Sequence, residues 1–171
     1  NCVLTTLNVG KLAAYLWFCV LTLGSGYAVK FCFPNTLGRG GAWHGIQLRY
    51  RDVQGELRGL RAIGAGLGLD VQFESVPPCI LGDPDAAGMG RSGFGETHYL
   101  DDVTGDRLYP IAHIEAELSA FPEACRTCPA LARCPGVAEA YLRLHGCEEF
   151  QAFPSSSRRK PRSLDPRQSP G

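Results

Sequence analysis

A chain of 171 residues and 18.5 kDa is long enough for one domain with a real core, which excludes a disulfide-stapled miniprotein and an obligate disordered segment as default readings. Its 17 Lys and Arg balance 17 Asp and Glu, so no global field points to nucleic acid or an anionic membrane, and recognition must come from a local site. Eight cysteines are the composition's strong anomaly, and their arrangement says more about function than any other feature.

Residues 2–7 read as a buried strand with no lead-in from Asn1, the expected look of a chain cut from a longer one. No cationic stretch and small-residue cleavage site precede an apolar run, so no secretory signal is expected, and the cysteines are expected to be reduced in a cytoplasmic setting. Asn8 is placed to cap a helix in which Leu12, Leu16, Cys19, Val20 and Leu23 follow helical spacing. Trp17 and Phe18 make its other side apolar, so this helix is expected to be largely buried. Its apolar part ends at Leu23, about 12 residues against the roughly 20 that a bilayer requires, and no membrane span is expected.

Gly24 and Gly26 stop that helix. Residues 28–33 form a short strand ended by Pro34, and the loop 35–45 holds four glycines, enough for backbone to approach a ligand closely. Val53, Leu57, Leu60, Ile63 and Leu67 give a core stripe opposite Arg51, Asp52, Gln54, Arg58 and Arg61, the pattern of an amphipathic surface helix over 51–67. Gly68 stops it, and residues 69–74 alternate into a third strand before Pro77 and Pro78. Strand, helix, strand, helix, strand specifies a parallel sheet with crossover helices, whose active sites gather at the C-terminal strand ends.

Beyond Cys79 the pattern changes. A Gly-rich stretch runs over 82–95, a turn is expected at 104–106, and two short helices are expected over 111–120 and 136–145, the second presenting Val137, Ala140, Tyr141 and Leu144 on one face. Residues 155–171 hold Leu164 as their only large aliphatic side chain and read as a disordered basic tail without assigned function. The expected division is a barrel-like part over 1–78, a cysteine-rich extension over 79–154 and the tail.

Cys125, Cys128 and Cys134 form C-x2-C-x5-C. The first two thiolates can hold one metal centre from a tight turn, and the third arrives after a short excursion. Pro122, Pro129 and Pro135 keep the segment out of a continuous helix, which frees backbone N–H groups to bond to thiolate or cluster sulfur. A fourth ligand must come from elsewhere. Cys79, at the expected C-terminal end of the third strand, is the first candidate and Cys147 the second. So remote a ligand suits an iron-sulfur cluster better than a two-pair zinc ribbon, with zinc as the alternative metal. Cys2, Cys19 and Cys32 are expected to pack in the core as small hydrophobes.

The four histidines, His44, His98, His113 and His145, show no i, i+4 pair, so a hydrolytic zinc site lacks support. Glu96, His98 and Tyr99 sit together and could move a proton, but nothing pairs them with a nucleophile, and loop packing is the plainer reading. Gly38-Arg39-Gly40-Gly41 matches neither phosphate-binding glycine motif.

The segment from Cys125 through Cys128-Pro129, Cys134-Pro135-Gly136 and Tyr141-Leu142 to Gly146 and Glu149 resembles the C-terminal cluster segment of radical S-adenosylmethionine proteins. Thr5, Leu7 and Asn8 before a helix, Phe33-Pro34-Asn35 with Gly38-Arg39 after a strand, and Pro77-Pro78-Cys79 after the next agree with it. The resemblance covers roughly residues 1–154. It implies an α/β fold, the later part of a partial (β/α)6 TIM-like barrel with a loop and short-helix extension binding an auxiliary [4Fe-4S] cluster. It also implies, in a full-length protein, a second [4Fe-4S] cluster that cleaves S-adenosylmethionine to a 5'-deoxyadenosyl radical, an electron donor, and a peptide or small-molecule substrate. Asn35 and Arg39 would then border the S-adenosylmethionine pocket, although a plain connecting turn is an equal reading of them.

Two departures matter. The C-x3-C-x2-C loop that initiates the chemistry occurs nowhere in these residues, so the chain alone is expected not to catalyse that cleavage. The commonest auxiliary pattern places a fourth cysteine four residues after the third, where this chain has Ala138, which leaves the fourth position to Cys79, Cys147 or substrate. The alternative function is a noncatalytic interaction domain stabilised by zinc or a cluster.

Overall fold

The computed structural model describes residues 1–34, 48–86, 98–100, 108–110 and 118–154. Strands β1 (Cys2–Val3), β2 (Ala28–Cys32) and β3 (Asp70–Glu74) lie in that order in one parallel sheet. Helices α1 (Leu12–Leu23) and α2 (Tyr50–Gly66) intervene in sequence and pack on each other. Among the described residues the sheet is open and three-stranded.

Side chains alternate across a strand. The register Val29↔Val71 and Phe31↔Phe73 therefore stacks four apolar side chains on one face, where they join Leu16, Val53, Leu57 and Leu60 in the core. Each such burial contributes roughly 1.5–3 kcal/mol relative to exposure. The opposite face is polar. There Lys30 lies beside Gln72 and Cys32 beside Glu74, and Lys30 Nζ reaches Glu74 Oε2 at 3.2 Å.

Cys32 thus departs from the core role expected of it. The strand's period of two puts it on the face away from Phe31, half-buried, with its sulfur 3.6 Å from Glu74 Oε2. Burial first, and then the Glu74 carboxylate, push its thiol from an ordinary 9.0 up to about 11. The folded chain holds this proton more tightly than the unfolded chain, so the stabilisation it gives is complete below pH 9.0 and is lost as pH rises through about 11. Alkylation of Cys32, followed by peptide mass spectrometry across pH, should reach half its maximal rate near the folded value rather than at 9.0.

Helix α1 differs from expectation at its start and on its outer side. Asn8 is not its cap. Its Oδ1 accepts the Thr5 N–H at 2.9 Å and its Nδ2 donates to the Val3 carbonyl at 2.7 Å, which organises the turn leading to the helix, while Glu56 takes the Gly10 and Leu12 N–H groups. Leu12, Leu16 and Cys19 are buried as expected, but Trp17 and Phe18 face solvent.

Helix α2 carries its core stripe on Val53, Leu57 and Leu60, with Gly64 against the sheet. A Cβ added at Gly64 would fall on the Val71 Cγ2 methyl, well inside any real carbon–carbon contact, and Val71 is itself buried. Gly64→Ala should therefore lower the urea midpoint, because overpacking costs about 1–3 kcal/mol against the roughly 1 kcal/mol that helix propensity returns. Gly59→Ala, with open space around its position, should instead raise the midpoint.

Past β3, a one-turn helix α3 (Pro78–Leu81) begins at the second proline and ends at Gly82 in a left-handed conformation. Strands β4 (His98–Leu100) and β5 (Leu108–Pro110) pair antiparallel, as do β6 (Ser119–Ala120) and β7 (Val137–Ala138). Two 3-10 turns, Glu123–Thr127 and Leu131–Arg133, separate β6 from β7, and α4 (Glu139–His145) follows. The end of the helix expected over 111–120 is strand β6 instead, because its backbone pairs with β7; residues 111–117 lie outside the described residues. Val137 likewise precedes the expected second helix as a strand. No helix among the described residues is long and apolar enough to cross a membrane.

Candidate metal centre

The backbone around Cys79 is set by the end of β3. Ser75 takes φ 57, a left-handed conformation unusual for a side chain with a Cβ. Its carbonyl accepts the Tyr50 hydroxyl at 2.6 Å. The chain reverses there, and Pro77 and Pro78 lead into α3, which holds Cys79 just beyond the C-terminal strand ends.

The other thiols come from the two 3-10 turns. Cys125 lies in the first, and Cys128 and Cys134 close the first and second respectively. Gly136 then turns the chain back with φ 80. A Cβ there would meet the Ala120 carbonyl and Ser119 Cβ at 3.2 Å, so glycine permits the close β6–β7 approach. Its N–H also points at Cys134 Sγ, 3.4 Å away. Arg133 ties the second turn back to the segment after α3, donating to the Pro84 carbonyl and Asp85 Oδ1, each at 3.1 Å.

The result is one small recess, with a cavity volume of about 20 Å³, that has Cys79, Cys125, Cys128 and Cys134 in its wall. Pro78, Phe121, Ala130, Leu131 and Phe153 supply most of the rest of the lining. Cys147 is exposed and is not part of that wall, although it lies within electrostatic range of Cys125. All eight cysteines are free.

Burial first, and then neighbouring thiols, raise Cys125 above its ordinary value. Burial pushes Cys134 up to about 11, against the lowering pull of the Gly136 N–H. Cys79 is also raised by burial, while the N–H groups of Gln151 and Ile80 pull it down. Sulfurs that repel one another's negative charge, in an apolar wall supplied with N–H donors, suit a shared cation or a cluster.

Among the described residues no group of three or more His, Cys, Asp or Glu side chains is placed to hold a metal ion. All four thiols belong to residues that line the recess.

An aromatic group joins this centre to the sheet. Phe33 and Tyr50 stack at 3.8 Å between ring centroids, and Tyr141 from α4 packs on Tyr50 at 4.8 Å, with Phe150 beside both. The Tyr141 hydroxyl accepts the N–H of Tyr50 at 2.9 Å and donates to Glu149 Oε2 at 3.0 Å, and the same carboxylate oxygen accepts the Arg51 N–H. The start of α2 is thereby capped by residues of the cysteine-rich segment. The sequence places Tyr141 on an apolar helix face and both Tyr141 and Glu149 in the segment that carries the resemblance, but their spacing does not reveal that the hydroxyl and the carboxylate bind the start of α2. A second cleft, lined by Arg51, Gln54, Arg58, Glu148 and Glu149, shares Cys79 and Gln151 with the recess.

Asn35 and Arg39 lie outside the described residues, as do His44, Glu96 and His113. Compared with family models, curated proteins and solved structures, the chain matches none.

Proposed function

We propose that Cys79, Cys125, Cys128 and Cys134 hold an auxiliary [4Fe-4S] cluster, and that the chain is the later part of a radical S-adenosylmethionine enzyme of the cytoplasm whose initiating C-x3-C-x2-C loop lies outside these 171 residues. The observation that carries the cluster reading is the meeting of four thiols, drawn from two segments distant in sequence, around one apolar-walled recess. The enzyme reading rests on the resemblance, with the parallel strand order and the position of Cys79 beyond the strand ends in its support. A partial barrel, an electron donor and a peptide or small-molecule substrate belong to the same proposal.

When bound, such a cluster carries electrons at a potential tuned by burial and by hydrogen bonds to its sulfurs. The chain's own residues set both. The prolines and apolar side chains limit water at the recess, the Gly136 N–H is directed at Cys134, and the Gln151 and Ile80 N–H groups stabilise charge on Cys79. The second cleft leaves Cys79 approachable from the side of Arg51 and Glu149.

The ligand set is tested by reconstituting Cys79→Ala and Cys147→Ala in parallel under anaerobic conditions with iron and sulfide. Cys79→Ala should lose most of the broad brown absorbance and Cys147→Ala should keep it. The reverse pattern would move the fourth ligand to Cys147, and loss in neither would leave the fourth position to something other than these cysteines.

A further inference from the structure

We propose that the cleft beside Cys79 binds a small zwitterion, a molecule of the amino-acid or short-peptide class with an ammonium group at one end and a carboxylate at the other. The cleft has a volume of about 430 Å³, within the roughly 300–1,000 Å³ of small-molecule sites. Such sites are mostly apolar, but this one is walled by polar side chains. Arg51, Gln54 and Arg58 come from one face of α2 at i, i+3, i+7 spacing, and Glu148, Glu149 and Gln151 from the segment after α4. Recognition here must therefore run through charge and hydrogen bonds.

The charges in this wall are equal in number and unpaired. Elsewhere the chain pairs its ions, Arg61 with Asp83, Arg133 with Asp85 and Arg143 with Glu139. Among the described residues, Arg51, Arg58, Glu148 and Glu149 enter no ion pair. Two of them are instead held by neutral groups. Arg58 donates from Nε to the Ile80 carbonyl at 3.0 Å and from Nη2 to Gln54 Oε1 at 3.4 Å. Glu149 Oε2 accepts the Tyr141 hydroxyl and the Arg51 N–H, while its Oε1 is buried without a partner. One cation and one anion are thus fixed in the same cleft with no counter-ion for either.

That arrangement selects the ligand class. The carboxylates repel a polyanion such as a phosphate ester, and the guanidinium groups repel a bare cation, whereas a ligand carrying both signs meets both demands. Its length follows from the anchors. Glu149 is tied to the N–H of Arg51, and Arg58 lies two helical turns further on, about 10 Å along the axis. An extended tripeptide, at about 3.3–3.6 Å per residue, spans the same distance. None of the four charged residues lines the cysteine recess, so the inference does not depend on the metal reading.

Isothermal titration of the anaerobically purified 171-residue chain with triglycine should give a saturable heat. N-acetyl-triglycine lacks the ammonium and triglycine amide lacks the carboxylate, and each should bind about tenfold more weakly, the worth of one charge-assisted contact. Arg58→Gln should weaken triglycine about tenfold and leave the amide unchanged, and Arg58→Lys should restore most of the loss. Glu148→Gln, at an exposed position, should weaken triglycine and leave the acetylated peptide unchanged. Arg143→Gln, outside the cleft, should alter none of the three. No saturable heat with triglycine, equal affinity of the parent chain for all three peptides, or variants that bind all three as the parent does would each overturn the assignment.

Discussion

Cys134→Ala should strip most of the iron from the reconstituted chain, whereas Cys19→Ala should leave the iron count unchanged. Cys134 stands in the wall of the recess with its sulfur facing the Gly136 N–H. Cys19 is buried in the core beneath α1. Even residues one step removed from a metal alter affinity by about 10–100-fold, so loss of a ligand should reduce affinity at least tenfold. Because a bound centre stabilises only the folded chain, Cys134→Ala should also abolish the rise in thermal midpoint that iron and sulfide give the parent protein. Equal iron loss in both variants would refute the division of cysteines into recess and core.

Tyr141→Phe should destabilise the chain by about 1–3 kcal/mol, the penalty for leaving a buried donor unpaired. The substitution keeps the ring among Phe33, Tyr50 and Phe150, and removes only the hydroxyl that accepts the Tyr50 N–H and donates to Glu149. Tyr141→Ala removes the ring as well and should lose about 3–5 kcal/mol. Urea titration read by fluorescence separates the two. The phenylalanine variant should shift the midpoint and leave the slope unchanged, since the surface exposed on unfolding is the same. Equal stability of Tyr141→Phe and the parent would mean that the hydroxyl does not tie the cysteine-rich segment to α2.

The strand and helix alternation of residues 1–78 was readable because both periods are strongly expressed there. Val29, Phe31, Val71 and Phe73 keep the period of two, and Val53, Leu57 and Leu60 the helical period. What those patterns could not convey is which sheet face a strand cysteine takes, and Cys32 consequently fell on the polar side. They also do not distinguish an apolar helix that is buried all round from one with an exposed side, and Trp17 and Phe18 lie on an exposed side. Pro78 at its first position and Gly82 just past its end are the signals of helix α3, but two consecutive prolines after a strand equally fit a plain strand stop. Near the recess, the spacing of Cys125, Cys128 and Cys134 marked the local thiols. The proximity of Cys79 is a tertiary fact, made by the turn at Ser75 and by the aromatic group that brings α4 onto the start of α2. The N–H directed at Cys134 follows from a left-handed glycine that no ligand spacing reveals.

The central claim, that the four recess thiols hold one polynuclear centre, is tested most directly by counting metal and acid-labile sulfide in the anaerobically reconstituted chain. The account predicts brown protein with about four irons and four sulfides per chain, the composition of a [4Fe-4S] centre. Colourless protein with one zinc per chain and no sulfide would contradict it.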